Sequence, residues 1–232
     1  MIPATTPLMR AIAQLDDRVL LGVVLQSVLW SVLCFALLHV AAIWAVHGLL
    51  DLHGWIAWVV DALGSVAASL LALWLFVPVA AAIGTLYIER VALAVERRWY
   101  PGLPPAEGAP LSVQVWDGVV IGLRILVLNV VALVLALAIP GVGLLLAWAI
   151  AAYALGRGLF VAVAMRRMSR PAAEALYAAC RWTVLAQGGA MAVAAYVPLL
   201  NLLLPVVGTA AMVHVLDLAL ARFGPPPTPA RI

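Results

Sequence analysis

Apolar residues run along this chain in long blocks separated by short polar breaks. The first block spans residues 19–50, after Asp16-Asp17-Arg18 and before Asp51-Leu-His53-Gly54. At 1.5 Å per residue its 32 residues reach roughly 48 Å, more than the ~30 Å of a hydrocarbon core, so this helix tilts, kinks or runs past the bilayer. A second block covers 62–88, with Pro78 as its expected kink. Residues 89–110 are the longest polar stretch. Val91, Val95 and Trp99 share one helical face there, which predicts a juxtamembrane amphipathic helix stopped by Tyr100-Pro-Gly-Leu-Pro-Pro105. Two apolar hairpins follow. One covers 116–165 and turns at Ile139-Pro-Gly-Val-Gly143; the other covers 171–222 and turns through Val197-Pro198 to Pro205. Between them Ser169 or Arg170 precedes a helix with Pro171 in its first turn. Residues 223–232 form a proline-rich tail. Met1–Asp17 lacks a short apolar core followed by a small-residue cleavage site, and reads as a retained leader.

These blocks define an all-α integral membrane protein, a single membrane domain over 1–232, with two long transmembrane helices and two shorter helical hairpins. Composition agrees: 67% of the residues are hydrophobic and 10% charged. A soluble exterior could not be built from that. Backbone groups in lipid are satisfied within a helix, and a barrel would show alternating ten-residue strands instead.

Charge sharpens the picture. All thirteen basic residues are arginine, which we read as codon bias in a GC-rich bacterial genome. The net charge of +3 would suit nucleic acid if it were clustered, but the arginines are scattered singly between apolar blocks. The expected partner is the lipid bilayer, not nucleic acid. With six apolar segments, every arginine falls on the side of the two termini, while the opposite turns hold Asp51, Asp61 and His53. The positive-inside rule then puts both termini in the cytoplasm of a bacterial inner membrane.

Counting outward from the turns adds depth. Arg124 lies 16 residues before Pro140 and Arg157 lies 17 after it. Arg181 lies 17 before Pro198, and Arg222 lies 17 after Pro205. Seventeen helical residues rise about 25 Å, so four arginines mark one level and the hairpin tips reach the far leaflet only if the membrane thins or the arginines snorkel.

That plane is where an anion would be sought, because arginine offers several donors in a fixed fork. Arg124, Arg157, Arg181 and Arg222 are the anion-binding candidates; Arg18, Asn129, Gln187 and His214 are secondary ones. The alternative for Arg124 and Arg157 is snorkelling to lipid phosphate or pairing with Asp117 and Glu174. His39, His47 and His214 lie in apolar helices, where hydrogen bonding to a neighbouring helix is the ordinary role of a neutral histidine and a proton pathway the special one. Asn129 and Gln187 are expected to bond between helices, and Gly118-Val-Val-Ile-Gly122 fits a close-packing motif. Asp217 stands one turn before Arg222 and is expected to pair near the interface. Trp55, Trp99 and Trp116 read as interface anchors. Cys34 and Cys180 sit in apolar helices, so neither a disulfide nor a metal site is expected. No nucleophile elbow, metal spacing or phosphate loop is present, which argues against an enzyme and against a cofactor.

Several stretches resemble the CysZ family of bacterial sulfate permeases, which includes the eukaryotic etoposide-induced membrane proteins. They are Phe76-Val-Pro-Val79 through Ile88-Glu-Arg-Val-Ala92, Val95-Glu96 with Tyr100-Pro-Gly-Leu103, Met165-Arg-Arg-Met-Ser-Arg170, and Val197-Pro-Leu-Leu-Asn201 with Pro205 through Thr209-Ala-Ala-Met-Val-His214. The resemblance implies two long transmembrane helices plus two hairpins entering the membrane partway, in an oligomeric inner-membrane permease or channel for a small anion such as sulfate. It departs from the family at one place. The family's sulfate-binding Gly-Leu-Arg motif near the N-terminus corresponds here to Ala11 through Val19, which has no such glycine and sets Asp16 and Asp17 beside Arg18. A Gly122-Leu123-Arg124 tripeptide occurs instead at the start of the first hairpin. The competing reading is a non-transporting, membrane-organising, lipid- or protein-interacting protein of the same fold.

Overall fold

A computed structural model of the protein describes residues 5–49, 63, 64, 66, 87–106, 110–139 and 142–224. Every regular element among them is a helix: α1 (Thr5–Ala13), α2 (Arg18–Leu49), α3 (Ile88–Trp99), α4 (Leu111–Ala138), α5 (Val142–Ala164), α6 (Arg170–Ala194) and α7 (Pro198–Phe223). Four stretches are long and apolar enough to cross a membrane: Arg18–Ala41, Ser112–Ala132, Val142–Ala164 and Leu203–Phe223. The protein is an all-α membrane protein. The second apolar block, 62–88, lies almost wholly outside the described residues, as do Trp55, His53 and Asp51.

The chain divides into two compact units, Gly22–Tyr87 and the remainder, Met1–Leu21 with Ile88–Ile232. In the first, α2 turns Leu25, Leu29, Leu37 and Trp44 outward, a surface suited to lipid. His39 stacks on Phe35 one turn earlier, ring centroids 6.2 Å apart.

In the larger unit α7 is the hub, with α1, α3, α5 and α6 packed on it. Of Leu203–Phe223, 72% is buried, against 12% of Ser112–Ala132, so α7 is interior and α4 is the lipid-facing helix. Within the stretch read as a retained leader, Thr5–Ala13 forms α1. Pro7, Ala11 and Gln14, at i, i+4 and i+7, turn one buried face toward the bundle. The expected amphipathic helix is α3. Its Val91 and Val95 are buried, and protein rather than lipid covers them, because α3 packs on α7 and α5.

Two expectations are corrected. The second hairpin turns only at Ala195–Val197; α7 starts at Pro198 and continues through Pro205. A proline inside a helix has no N–H and so leaves the carbonyl four residues back, that of Asn201, without its helical donor; one turn further on, Thr209 Oγ1 donates to the Pro205 carbonyl at 2.6 Å. The return arm is therefore longer than one counted from Pro205. The close-packing motif is also elsewhere. A Cβ added at Gly118 or Gly122 would meet nothing within 4 Å, whereas one at Gly188 would lie 2.1 Å from the Ala152 oxygen and 2.9 Å from Gly156 Cα. The backbones of α5 and α6 touch at Gly156 and Gly188, an approach that only glycine permits.

Candidate functional site

Three polar clusters bind the larger unit together, each joining elements far apart in sequence. The first sits at the turn between α5 and α6. Glu89 and Glu96, seven residues apart on α3, reach the same guanidinium. Arg166 donates from Nε to Glu89 at 2.6 Å and from a terminal nitrogen to Glu96 at 2.6 Å. Arg167 adds a second bond to Glu96 at 3.1 Å and donates to the Pro104 carbonyl at 3.0 Å. Arg166 and Glu96 are buried. Burial opposes the charge of Arg166, but bonds from Glu89 and Glu96 outweigh it and hold its pKa above the ordinary value. Glu89 is held below the usual carboxylate range by its bond from Arg166, against the effect of its own burial.

The second cluster joins α4, α5 and α6. Buried Arg157 on α5 donates to both oxygens of Asp117 on α4, at 3.2 and 3.4 Å, and to Glu174 on α6. Arg170 bonds the same Asp117 at 2.8 Å. Each buried charge thus has an opposite partner, the condition under which such charges persist away from water. Arg124 lies over the Tyr153 ring, 5.2 Å from its centroid. Tyr153 is one turn before Arg157, so Arg157 stands about 6 Å nearer the base of the hairpin than Arg124's contact.

The third cluster ties α1 and α3 to the hub. The Tyr100 hydroxyl and His214 Nδ1 are 2.7 Å apart, and the histidine is fully buried against Trp99 and Tyr100 edges. Among the described residues its Nε2 has no hydrogen-bond partner. His214 is thereby joined to the residue that follows α3. Asp217 interacts with Tyr100 rather than with Arg222. Burial, then the neighbouring Asp217 charge, pushes the Tyr100 phenol up to about 12. Trp99 Nε1 donates to Gln14 at 2.9 Å, and Arg10 lies 5.5 Å over the Trp99 ring.

The candidate residues are not gathered into one site. Arg157 is enclosed by carboxylates, the alternative foreseen for it. Arg124, Arg181 and Arg222 are exposed, the last two lying over their neighbours Trp182 and Phe223. Asn129 is exposed and, among the described residues, bonds within its own helix, donating to Ile125 O one turn back at 3.0 Å. Gln187 is buried on α6. Arg18 opens α2, but both neighbouring carboxylates are engaged, Asp16 by Arg98 at 2.9 Å and Asp17 by the Val19 amide at 2.8 Å. Pairing with Arg98 weakens the repulsion that Asp16 would exert on an anion near Arg18. Sequence reasoning did not foresee the Glu89–Glu96–Arg166 clamp. Its signal is two glutamates seven residues apart on one face of an amphipathic helix. Among the described residues, no His, Cys, Asp or Glu group is arranged to hold a metal.

A family model described as sulfate transporter CysZ/etoposide-induced protein 2.4 matches residues 7–205. The chain belongs to this CysZ family. Comparison with individual curated proteins and with solved structures found no match. The CysZ match begins within α1 and ends within α7, at Pro205, so all three clusters draw on it. His214 and Asp217 lie beyond its end.

Proposed function

We propose that this protein is an inner-membrane permease or channel for a small anion, sulfate being the substrate its family suggests. The observation that carries this reading is the polar interior of the bundle. Arg157 on α5, Gln187 on α6, and Thr209 and His214 on α7 are all buried in helices that pack on one another. From Thr209 to Asp217 polar groups recur over about 12 Å of α7. Polar side chains buried in a membrane bundle cost free energy unless paired, and besides joining helices they mark the paths that ions take through such bundles. In this reading the exposed Arg124, Arg181 and Arg222 attract the anion to the membrane surface. Arg157, with Asp117 and Glu174, positions α4 against α5 and α6.

The test is anion flux into vesicles containing the purified protein. Radiolabelled sulfate should enter faster than into empty vesicles. Arg124→Ala should slow entry by lowering the local anion concentration, and Arg157→Ala should slow it through disorder of the hairpin. Flux indifferent to both would remove the arginine assignment. No flux of any small anion would favour the second reading, a membrane-organising protein, which the enclosure of Arg157 by carboxylates also fits.

A further inference from the structure

A groove of about 400 Å³ lies between the start of α2 and the outer face of α3, walled by Asp17, Val19, Arg90, Leu93, Arg97 and Arg98. It is separate from the three clusters. Arg90, Leu93 and Arg97 share one face of α3 by their i, i+3, i+7 spacing, and the buried Val91 and Val95 hold the other side of that helix on the bundle.

Charge and depth together restrict what such a groove can take. Three guanidiniums face one wall carboxylate, and a second carboxylate, Asp16, holds Arg98 just outside. The lining itself carries more arginine than carboxylate. Val19 and Leu93 supply apolar walls, which a free oxyanion does not need and an acyl-glycerol does. The apolar span Arg18–Ala41 opens at this point, so the groove stands where headgroups meet hydrocarbon. A phosphodiester carries one negative charge and is joined to apolar chains. A zwitterionic headgroup would bring an ammonium against the arginines, whereas a neutral polyol would not.

We propose that this groove binds the phosphodiester headgroup of an anionic phospholipid, with Arg90 and Arg97 contacting the phosphate and Val19 and Leu93 the glycerol and upper acyl chain. The protein selects such a lipid at one place on its surface instead of meeting the bilayer uniformly. This does not depend on whether the protein transports an anion.

The experiment incubates delipidated, full-length protein in mixed micelles of equal parts phosphatidylglycerol and phosphatidylcholine, then measures bound lipid by mass spectrometry. The wild type should hold phosphatidylglycerol in excess of the bulk ratio. Arg97→Gln should lower that excess about fivefold, the effect of one arginine near a charged surface, and R90Q/R97Q should abolish it. Leu93→Trp, which fills the groove without removing charge, should lower it as well. Arg222→Gln, outside the groove, should leave it unchanged. A wild-type ratio equal to bulk, or a loss with Arg222→Gln as large as with Arg97→Gln, would overturn the proposal. A free anion is the competing source of the same chemistry. If millimolar sulfate or inorganic phosphate shields Arg97 from an arginine-modifying reagent and phosphatidylglycerol does not, the groove takes a free anion and the lipid assignment is wrong.

Discussion

Buried charge decides most at the residue scale. Arg166 meets two carboxylates while nearly out of water, and leaving a buried charge unpaired costs far more than the pair contributes. Arg166→Ala should therefore destabilise the folded protein by about 3 kcal/mol, the low end for such a break because Arg167 still reaches Glu96. Arg98→Ala, which removes the exposed pair with Asp16, should cost less than about 1 kcal/mol. Denaturation of the two variants side by side in detergent would check the order. The clamp also sets an acid limit. A carboxyl whose folded pKa is depressed stabilises the fold above its unfolded value and loses that contribution as pH falls through the folded one. Glu89 is such a group, with an ordinary value of 4.5, so its contribution should be intact near neutrality and disappear progressively below pH 4.5. The unfolding midpoint of Glu89→Gln should fall less steeply than the wild type's in that range. A parallel decline would mean that Glu89 does not contribute. The sequence displayed these residues without their pairings. Asp117 and Glu174 are legible as partners of Arg157, since all lie in or beside the hairpins, but Glu89 and Arg166 stand 77 residues apart and only folding joins them.

At the scale of elements the apolar blocks locate α2, α4 and α5 well, because a helix in lipid must be both long and apolar. They are less informative where a helix is covered by protein. The short α1 hides its amphipathic face behind Pro7 and Gln14, and Pro205 reads as a turn although α7 passes through it. Glycine spacing misleads for a related reason. Gly118 and Gly122 have the motif's periodicity, but periodicity cannot say which face meets a neighbour. Gly188→Ala should force α5 and α6 apart and cost about 1–3 kcal/mol or more, since its Cβ would meet backbone that cannot move aside. Gly122→Ala should be neutral or stabilise by up to about 1 kcal/mol, the gain of alanine over glycine within a helix. Melting temperatures of the two variants test this, and equal losses would contradict the packing described.

For the whole molecule the open quantity is orientation. With the six apolar segments read from the sequence, every arginine would fall on the side of the termini, and reporter proteins fused to either end are then expected to lie in the cytoplasm. A phosphatase active only outside and a fluorescent protein active only inside would give opposite signals from each fusion. A signal from the opposite side of the membrane at either end would break the topology. What the sequence determined by itself is the class, helices in a membrane, and the approximate limits of several of them. These follow from the cost of exposing apolar surface to water and backbone groups to lipid, which local composition records. Tertiary structure alone decided that α7 is the hub, that Arg157 is enclosed while Arg124, Arg181 and Arg222 stay exposed, and that a basic groove opens beside α2. Each depends on which residues distant in sequence meet, and a linear pattern of polar and apolar positions does not contain that information.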